Sequence, residues 1–193
     1  MNTWRTLLDT SHQALRTVTA GLSEADKDKA TPCEKWTVTQ VLQHATGDQI
    51  GYAAAIAGGP WPSEDPFAPS GRIEGDPVAF LETGLSASAT AYTQIGDGDP
   101  NVPTPLPQGA MPAWQAAGAC ALDAAIHAWD IAVATGQPSP LTTPMARELL
   151  EVAVTIVEPL RGFAYGPSMP AAPGDGDVET LLRYLGRDPH WTA

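Results

Sequence analysis

Two residues one helical turn apart, Asp123 and His127, have the clearest chemical potential in this sequence. A carboxylate and an imidazole separated by four positions project from the same face of a helix. Together they offer an oxygen and a nitrogen ligand, a combination that suits zinc, nickel, manganese or iron. Because two ligands make a poor metal site, a metal interpretation needs a third ligand from elsewhere in the chain.

His44 is the best candidate for that third ligand. It lies beside the apolar residues Val41, Leu42 and Ala45, in a segment whose pattern predicts a second helix. Three protein ligands with open positions for water or substrate are typical of a catalytic metal site. We therefore predict a divalent metal ion bound by His44, Asp123 and His127.

The residues alone leave simpler interpretations open. Asp123 and His127 are also compatible with an ion pair, or with a core histidine that is satisfied by hydrogen bonds. Asp48 follows His44 by one turn, and Asp130 follows His127 by three positions. Each of these two carboxylates either orients its neighbouring imidazole or is an ordinary charge on a helix surface.

Three further residues have reactive side chains but less specific surroundings. We expect His12 on the surface of the first helix, Cys120 as a small core residue, and Cys33 in a loop. The two cysteines are too few and too far apart for a thiolate zinc site, and a reducing compartment is the simplest interpretation. No secretory signal is evident at the start of the chain, so we expect a cytoplasmic protein.

Composition limits the classes of partner. The chain has 193 residues, enough for one domain with a real core, and we treat residues 1–193 as a single domain. It carries 10 Lys and Arg against 22 Asp and Glu, a net charge of −12. This charge disfavours nucleic acid and anionic membrane surfaces, and we find no segment approaching the roughly 20 apolar residues of a membrane span. Nothing in the sequence sets the oligomeric state, and a homodimer is compatible with it.

Helical periodicity and capping residues predict the elements that must position the candidate ligands. Thr37 is the expected N-cap of the second helix, with Gln40 completing a capping box. Glycines and prolines mark the ends of most segments. Six helices are predicted: one that starts at Trp4, one from Val38 to about Ala57, one after Asp76, one from Pro112 to Thr135, one that follows Thr143 and extends through Leu160, and one near Val178 to Leu185. Long helices joined by irregular loops predict a mainly α, up-and-down four-helix bundle with additional short C-terminal helices.

Three blocks of the sequence resemble a known family. They are TPCEKWTVTQVLQH at residues 31–44, LDAAIHAWDIAVATGQP at residues 122–138 and RYLGRDP at residues 183–189. In this order they resemble actinobacterial metal-binding proteins of the DinB-like superfamily, in the branch related to the N-terminal domain of mycothiol-dependent maleylpyruvate isomerase. The resemblance implies a DinB-like bundle whose metal ligands correspond to His44, Asp123 and His127. Asp123 stands where the isomerase has glutamate, and we expect this chain to be too short for a full additional C-terminal domain of the kind that the isomerase has.

The resemblance implies a thiol-dependent reaction. Our first hypothesis is a divalent-metal enzyme, with zinc or nickel as the expected metal, that uses a thiol such as mycothiol for S-transfer to, or isomerisation of, a small electrophile. The metal would hold the thiol as its thiolate at neutral pH. The alternative is a non-catalytic metal-binding or ligand-sequestering protein with the same three ligands. A third hypothesis is a bundle without metal, whose polar residues satisfy one another.

Overall fold

A computed structural model describes residues 4–192 of the chain. The helices are α1 (Trp4–Ala20), α2 (Val38–Ala57), α3 (Pro77–Tyr92), α4 (Ala113–Thr135), α5 (Thr143–Ile156) and α6 (Asp177–Tyr184), with short 3-10 turns at Glu24–Asp26 and Glu158–Leu160. Within residues 4–192, β structure is limited to isolated bridges. The prediction of a mainly helical protein is confirmed.

Helices α1 to α4 form the bundle, and their order around it is α1, α3, α2, α4. Helix α1 packs against α3 and α4, and α2 packs against the same two helices from the other side. Helices α1 and α2 therefore lie on opposite sides of the bundle, and their connection crosses one of its ends. Helix α5 packs on α4, and α6 packs on α5. This arrangement places α2 directly beside α4, the two helices that carry the predicted ligands.

The start of α2 is set by local interactions that the sequence predicts. The Thr37 side chain accepts a hydrogen bond from the Gln40 amide, and the Gln40 side chain accepts one from the Thr37 amide. This reciprocal pair satisfies two backbone donors that a helix N-terminus otherwise leaves unpaired. At the other end, Gly58 takes a left-handed conformation with φ of 70°. The capping prediction is confirmed, and it fixes the register of His44 within α2.

Helix α4 is the central helix of the core. Small residues allow its neighbours to approach closely: a β-carbon on Gly118 would clash with a methyl group of Val152 on α5. Contrary to our expectation, α4 is long and apolar enough, by length and composition, to cross a membrane. However, 89% of its most apolar 18-residue window is buried inside the protein. Packing within the bundle therefore accounts for its apolar character.

Two helices end earlier than the apolar patterns predict. Helix α5 ends at Ile156 rather than continuing through Leu160. Pro159 explains this, because it has no N–H to donate to the preceding turn and its ring crowds that turn. Helix α3 ends at Tyr92, so Ile95 lies outside it.

The prediction of a surface position for His12 is wrong. Only 1% of His12 is exposed, and its Nε2 lies 2.9 Å from Gln49 Oε1. Ser88 donates to the same oxygen, and the Gln49 amide donates to the Cys120 carbonyl. This buried network, His12–Gln49–Ser88–Cys120, joins four helices of the bundle. The apolar periodicity of α1 does not reveal that a polar residue lies on its inner face.

Candidate metal centre

The side chains of His44, Asp123 and His127 come together between α2 and α4. Their ligand atoms all lie within 4.8 Å of one another. Asp123 Oδ1 lies 3.5 Å from His44 Nε2 and 3.4 Å from His127 Nε2. Asp123 and His127 share a face because they are four residues apart on α4, whereas His44 reaches them only through the packing of α2 on α4. The three residues singled out from the sequence are thus neighbours in the structure.

The His44 ring is oriented by the loop between α2 and α3. Its Nδ1 donates a hydrogen bond of 2.9 Å to the carbonyl of Pro66, so in the neutral ring the lone pair is on Nε2, which faces Asp123. Gly47 allows this loop to approach, because a β-carbon there would lie 3.0 Å from the Pro66 ring. A backbone carbonyl on the distal nitrogen is a usual partner of a metal-binding histidine.

The His127 ring is oriented by a buried ion pair. Its Nδ1 lies 3.0 Å from Asp130 Oδ2 and donates to it. Arg187 holds both oxygens of Asp130, with its Nε and Nη2 each at 2.9 Å. Arg187 comes directly after Gly186, whose φ of 80° turns the chain at the end of α6. Asp130 is fully buried, so of its two interpretations the structure supports the orienting carboxylate.

One oxygen of the cluster lacks a partner. Asp123 Oδ2 is buried and accepts no hydrogen bond, a costly arrangement for a carboxylate. The two imidazole Nε2 atoms that face this carboxylate, once deprotonated, complete a donor set that fits a divalent metal ion. A second group, Cys33, His127 and Asp130, is also compact, but Asp130 is already committed to Arg187 and to the ring of His127. The first group is therefore the better fit for a cation.

The electrostatics of the cluster also favour positive charge. Burial alone would lower the pKa of His127, but the Asp123 carboxylate and hydrogen bonds to Asp123 and Asp130 raise it well above its usual value. Burial would raise the pKa of Asp123, yet His127 and His44 hold it well below its usual range. The protein thus stabilises a proton between these side chains. A divalent cation would satisfy the same field.

Asp48 faces the same space from α2. Its Oδ2 lies 3.7 Å from His44 Nε2, on the side of the ring that faces Asp123. It cannot orient the ring through Nδ1, because Pro66 occupies that position. Burial raises the pKa of Asp48 to about 7, against the opposing effect of His44. Asp48 is therefore neither the orienting partner nor the ordinary surface charge considered from the sequence.

The cluster forms part of the wall of a cavity of about 470 Å³. The lining comprises Cys33, Lys35, Trp36, His44, Asp48, Tyr52, Phe67, Pro105, Leu106, Pro107, Ala119, Asp123, Ile126, His127, Ile156, Leu160, Phe163, Ala164, Tyr165 and Arg187. The Trp36 ring lies against His44, with 4.6 Å between ring centroids. Cys33 is half-buried, and its Sγ lies 3.3 Å from Asp130 Oδ2. A small molecule in this cavity would contact the candidate ligands directly.

Sequence reasoning missed two contributors to the site. Arg187 lies in the RYLGRDP block, but a role for it depends on a contact between residues 57 positions apart. Pro66 contributes a backbone carbonyl, which no side-chain motif can reveal. The one local signal for Arg187 was its position directly after Gly186, at a helix end, in a block that also resembles the family.

The comparisons with known proteins agree with this architecture. Two curated proteins of Mycobacterium tuberculosis, the uncharacterized protein MT0763 of strain CDC 1551 and the uncharacterized protein Rv0738 of strain H37Rv, are each 29% identical over 162 residues. These alignments cover 81% of this chain and 82% of each relative.

Among solved structures, the mycothiol-dependent maleylpyruvate isomerase superposes with a TM-score of 0.66 at 16% identity, over 98% of this chain and 94% of that one. A crystal structure of a histidine-to-alanine mutant of the isomerase gives a TM-score of 0.62, also at 16% identity, over 97% and 94% of the two chains. The similarity in fold extends over nearly the whole isomerase chain, further than the resemblance to its N-terminal domain led us to expect. It confirms the DinB-like helical fold class.

The family model of the mycothiol maleylpyruvate isomerase N-terminal domain matches residues 8–132. The match is more than half of the chain and includes His44, Asp123 and His127. The chain belongs to the mycothiol maleylpyruvate isomerase N-terminal domain family.

Proposed function

We propose that this protein is a divalent-metal-dependent enzyme that uses a low-molecular-weight thiol of the mycothiol type. The reaction would be S-transfer to, or isomerisation of, a small electrophile. The observation that carries the proposal is the Asp123 carboxylate at the wall of an open cavity: its Oδ1 lies between two oriented imidazoles, and its Oδ2 is unpartnered. Family membership supports the thiol, because the solved relative is a mycothiol-dependent maleylpyruvate isomerase.

His44, Asp123 and His127 would hold the metal, and the other polar residues would keep them in place. Zinc or nickel suits this set of nitrogen and oxygen donors. When bound, the metal supplies charge that stabilises a thiolate at neutral pH. Pro66 and Asp130 fix the two imidazole rings, and Arg187 holds Asp130. The ligand side chains would thus need little rearrangement to bind a metal.

Asp48 would accept the thiol proton. Its Oδ2 faces the space beside His44 Nε2, and its side chain is 22% exposed to the cavity. As a carboxylate beside the proposed thiol position it can accept a proton and later return it. In an isomerisation the thiol is regenerated, so this proton would return to the sulfur when the product leaves.

Elemental analysis of protein purified without an affinity tag tests the metal site. We expect close to one equivalent of a divalent metal, and its removal by a chelator should lower thermal stability. At free metal about 100 times its dissociation constant, binding contributes about 2.7 kcal/mol, which corresponds to roughly 5 to 11 °C in Tm for a chain of this size. Absence of metal, together with an unchanged melting curve after incubation with zinc or nickel, would support the hypothesis of a bundle without metal.

Turnover separates the enzyme from a sequestering protein. We expect metal-loaded protein to consume small electrophiles only when mycothiol is present, with the conjugate or isomer detected by mass spectrometry. Asp48→Asn should lower the rate, because an amide cannot accept the thiol proton, while metal stoichiometry stays unchanged. Full metal occupancy without turnover of any electrophile in a broad panel would favour the sequestering role.

A further inference from the structure

The mouth of the cavity is formed by two exposed aromatic side chains from separate loops. Phe67 belongs to the connection between α2 and α3, and Phe163 follows α5. Their ring centroids lie 5.0 Å apart, yet 46% of Phe67 and 67% of Phe163 are exposed. Exposed apolar surface gathered at the rim of a cavity is typical of a ligand-binding site.

Ring contacts continue from this mouth to the candidate metal ligands. The centroid of the Phe67 ring lies 5.5 Å from that of His44, and the centroid of the Trp36 ring lies 4.6 Å from that of His44. The remaining wall includes Pro105, Leu106, Pro107, Ile156 and Leu160. A molecule entering toward His44 therefore passes along aromatic and aliphatic side chains.

Cationic groups that could bind a carboxylate are scarce in this lining. Arg187 is the guanidinium of the cavity, and Asp130 occupies it through two hydrogen bonds. Lys35, the other cationic side chain of this lining, is exposed, so solvent screens its charge. Recognition of a dicarboxylate usually relies on free arginine side chains in a bidentate arrangement, and the lining offers none.

Acidic groups, in contrast, face the interior. Asp48 and Asp123 both lie beside His44 Nε2. In the proposed holoenzyme their two negative charges balance those of a divalent cation, and transfer of the thiol proton to Asp48 leaves this balance unchanged. The site therefore has no excess positive charge to offset the loss of hydration of an anionic co-substrate, whereas an uncharged one does not bear that cost.

We propose that the cavity takes an uncharged electrophile with a flat aromatic or apolar body, and that Phe67 and Phe163 are its specificity-determining residues. A dicarboxylate of the maleylpyruvate type would be disfavoured. This inference rests on the proposed function for the reaction, but the binding preference can be measured without any turnover.

Four unreactive compounds separate the effect of charge from that of the ring: succinate, succinamide, 2-phenylsuccinate and 2-phenylsuccinamide. Titration calorimetry with zinc-incubated protein should give the tightest binding for 2-phenylsuccinamide. We expect it to bind at least roughly 10-fold more tightly than 2-phenylsuccinate, and more tightly than succinamide by a similar factor. Equal or tighter binding of either dicarboxylate overturns the inference.

Variants at the mouth test the role of the two phenylalanines. Phe163→Ala and Phe67→Ala should each weaken 2-phenylsuccinamide binding by roughly 2- to 10-fold and leave succinamide binding unchanged. Trp114→Ala is the matched control, because Trp114 is 45% exposed but does not line the cavity. Loss of affinity in the control to the same extent, or none in either phenylalanine variant, contradicts the assignment.

Failure of this inference is distinguishable from failure of the proposed function. Thiol-dependent turnover of a dicarboxylate, with 2-phenylsuccinamide not bound, would sustain the enzyme and overturn the aromatic preference. Selective binding of 2-phenylsuccinamide that depends on Phe67 and Phe163 would sustain the preference even if no thiol reaction were found.

Discussion

Two buried histidines in this bundle have opposite surroundings. His12 lies between helices where Gln49 and Ser88 supply hydrogen-bond partners, and Gln49 is itself satisfied by neighbours. His127 lies beside Asp123, which has an unpartnered oxygen, and beside a cavity. Burial of a histidine therefore does not define a site. Acceptors that the protein leaves unsatisfied, next to space for a ligand, are what distinguish the second histidine from the first.

The charge states of the two histidines differ for the same reason. Burial lowers the pKa of His12 to about 4, although the bond to Gln49 acts in the opposite direction. At His127 the nearby carboxylates outweigh burial, and the pKa rises well above its usual value. The His12 network excludes charge from the core, whereas the candidate metal centre attracts a cation.

Loss of a ligand should give the largest effect and should be confined to the candidate metal centre. Asp123→Asn keeps the size of the side chain but removes the negative charge, so we expect zinc affinity to fall by more than roughly 100-fold, beyond the usual cost of losing an orienting partner. Asp123→Glu restores a carboxylate and should retain metal. Metal stoichiometry and circular dichroism, measured on the same samples, check both variants. A folded Asp123→Asn protein with wild-type affinity would remove Asp123 from the site.

Arg187→Gln should weaken metal binding by roughly 10- to 100-fold, because Asp130 would no longer be held against the His127 ring. The chain offers a matched control in Arg183, which pairs with Asp175 and has the same 11% side-chain exposure as Arg187. Both substitutions should lower the free energy of unfolding, since each leaves a largely buried carboxylate without its partner. Zinc titrations should show a loss for Arg187→Gln alone. Equal loss in both variants would indicate a general effect of destabilisation.

Gln49→Leu, in the His12 network, should lower stability without affecting metal binding. The substitution keeps the volume of the side chain but leaves His12, Ser88 and the Cys120 carbonyl without their partner. We expect the free energy of unfolding to fall by about 2 kcal/mol, while metal stoichiometry stays as in the wild type. Urea denaturation and elemental analysis provide the two measurements. Metal loss from a folded Gln49→Leu protein would show that the two regions are coupled.

Thr37→Ala should have the smallest effect. It removes the acceptor for the Gln40 amide at the start of α2, and we expect a loss of about 1 kcal/mol in the free energy of unfolding. Metal affinity should change little, because His44 lies about two turns further along the helix. Denaturation curves that coincide with the wild type would argue that the cap contributes nothing to the stability of α2.

The sequence alone determined the features that depend on near neighbours in the chain. The capping box of Thr37 and Gln40 set the start of α2, and Gly136 set the end of α4, since both act through hydrogen bonds within a few residues. The shared face of Asp123 and His127 likewise follows from helix geometry.

Only the tertiary structure decided the features that depend on residues distant in the chain. The pattern of α1 does not show that His12 is buried, because Gln49 and Ser88 become its partners only when α1, α2 and α3 pack together. Arg187 reaches Asp130 across 57 residues, and Phe67 meets Phe163 across the cavity mouth. Local propensity carries no information about such contacts, since they form where separate helices and loops meet and are stabilised by the packing of the whole bundle.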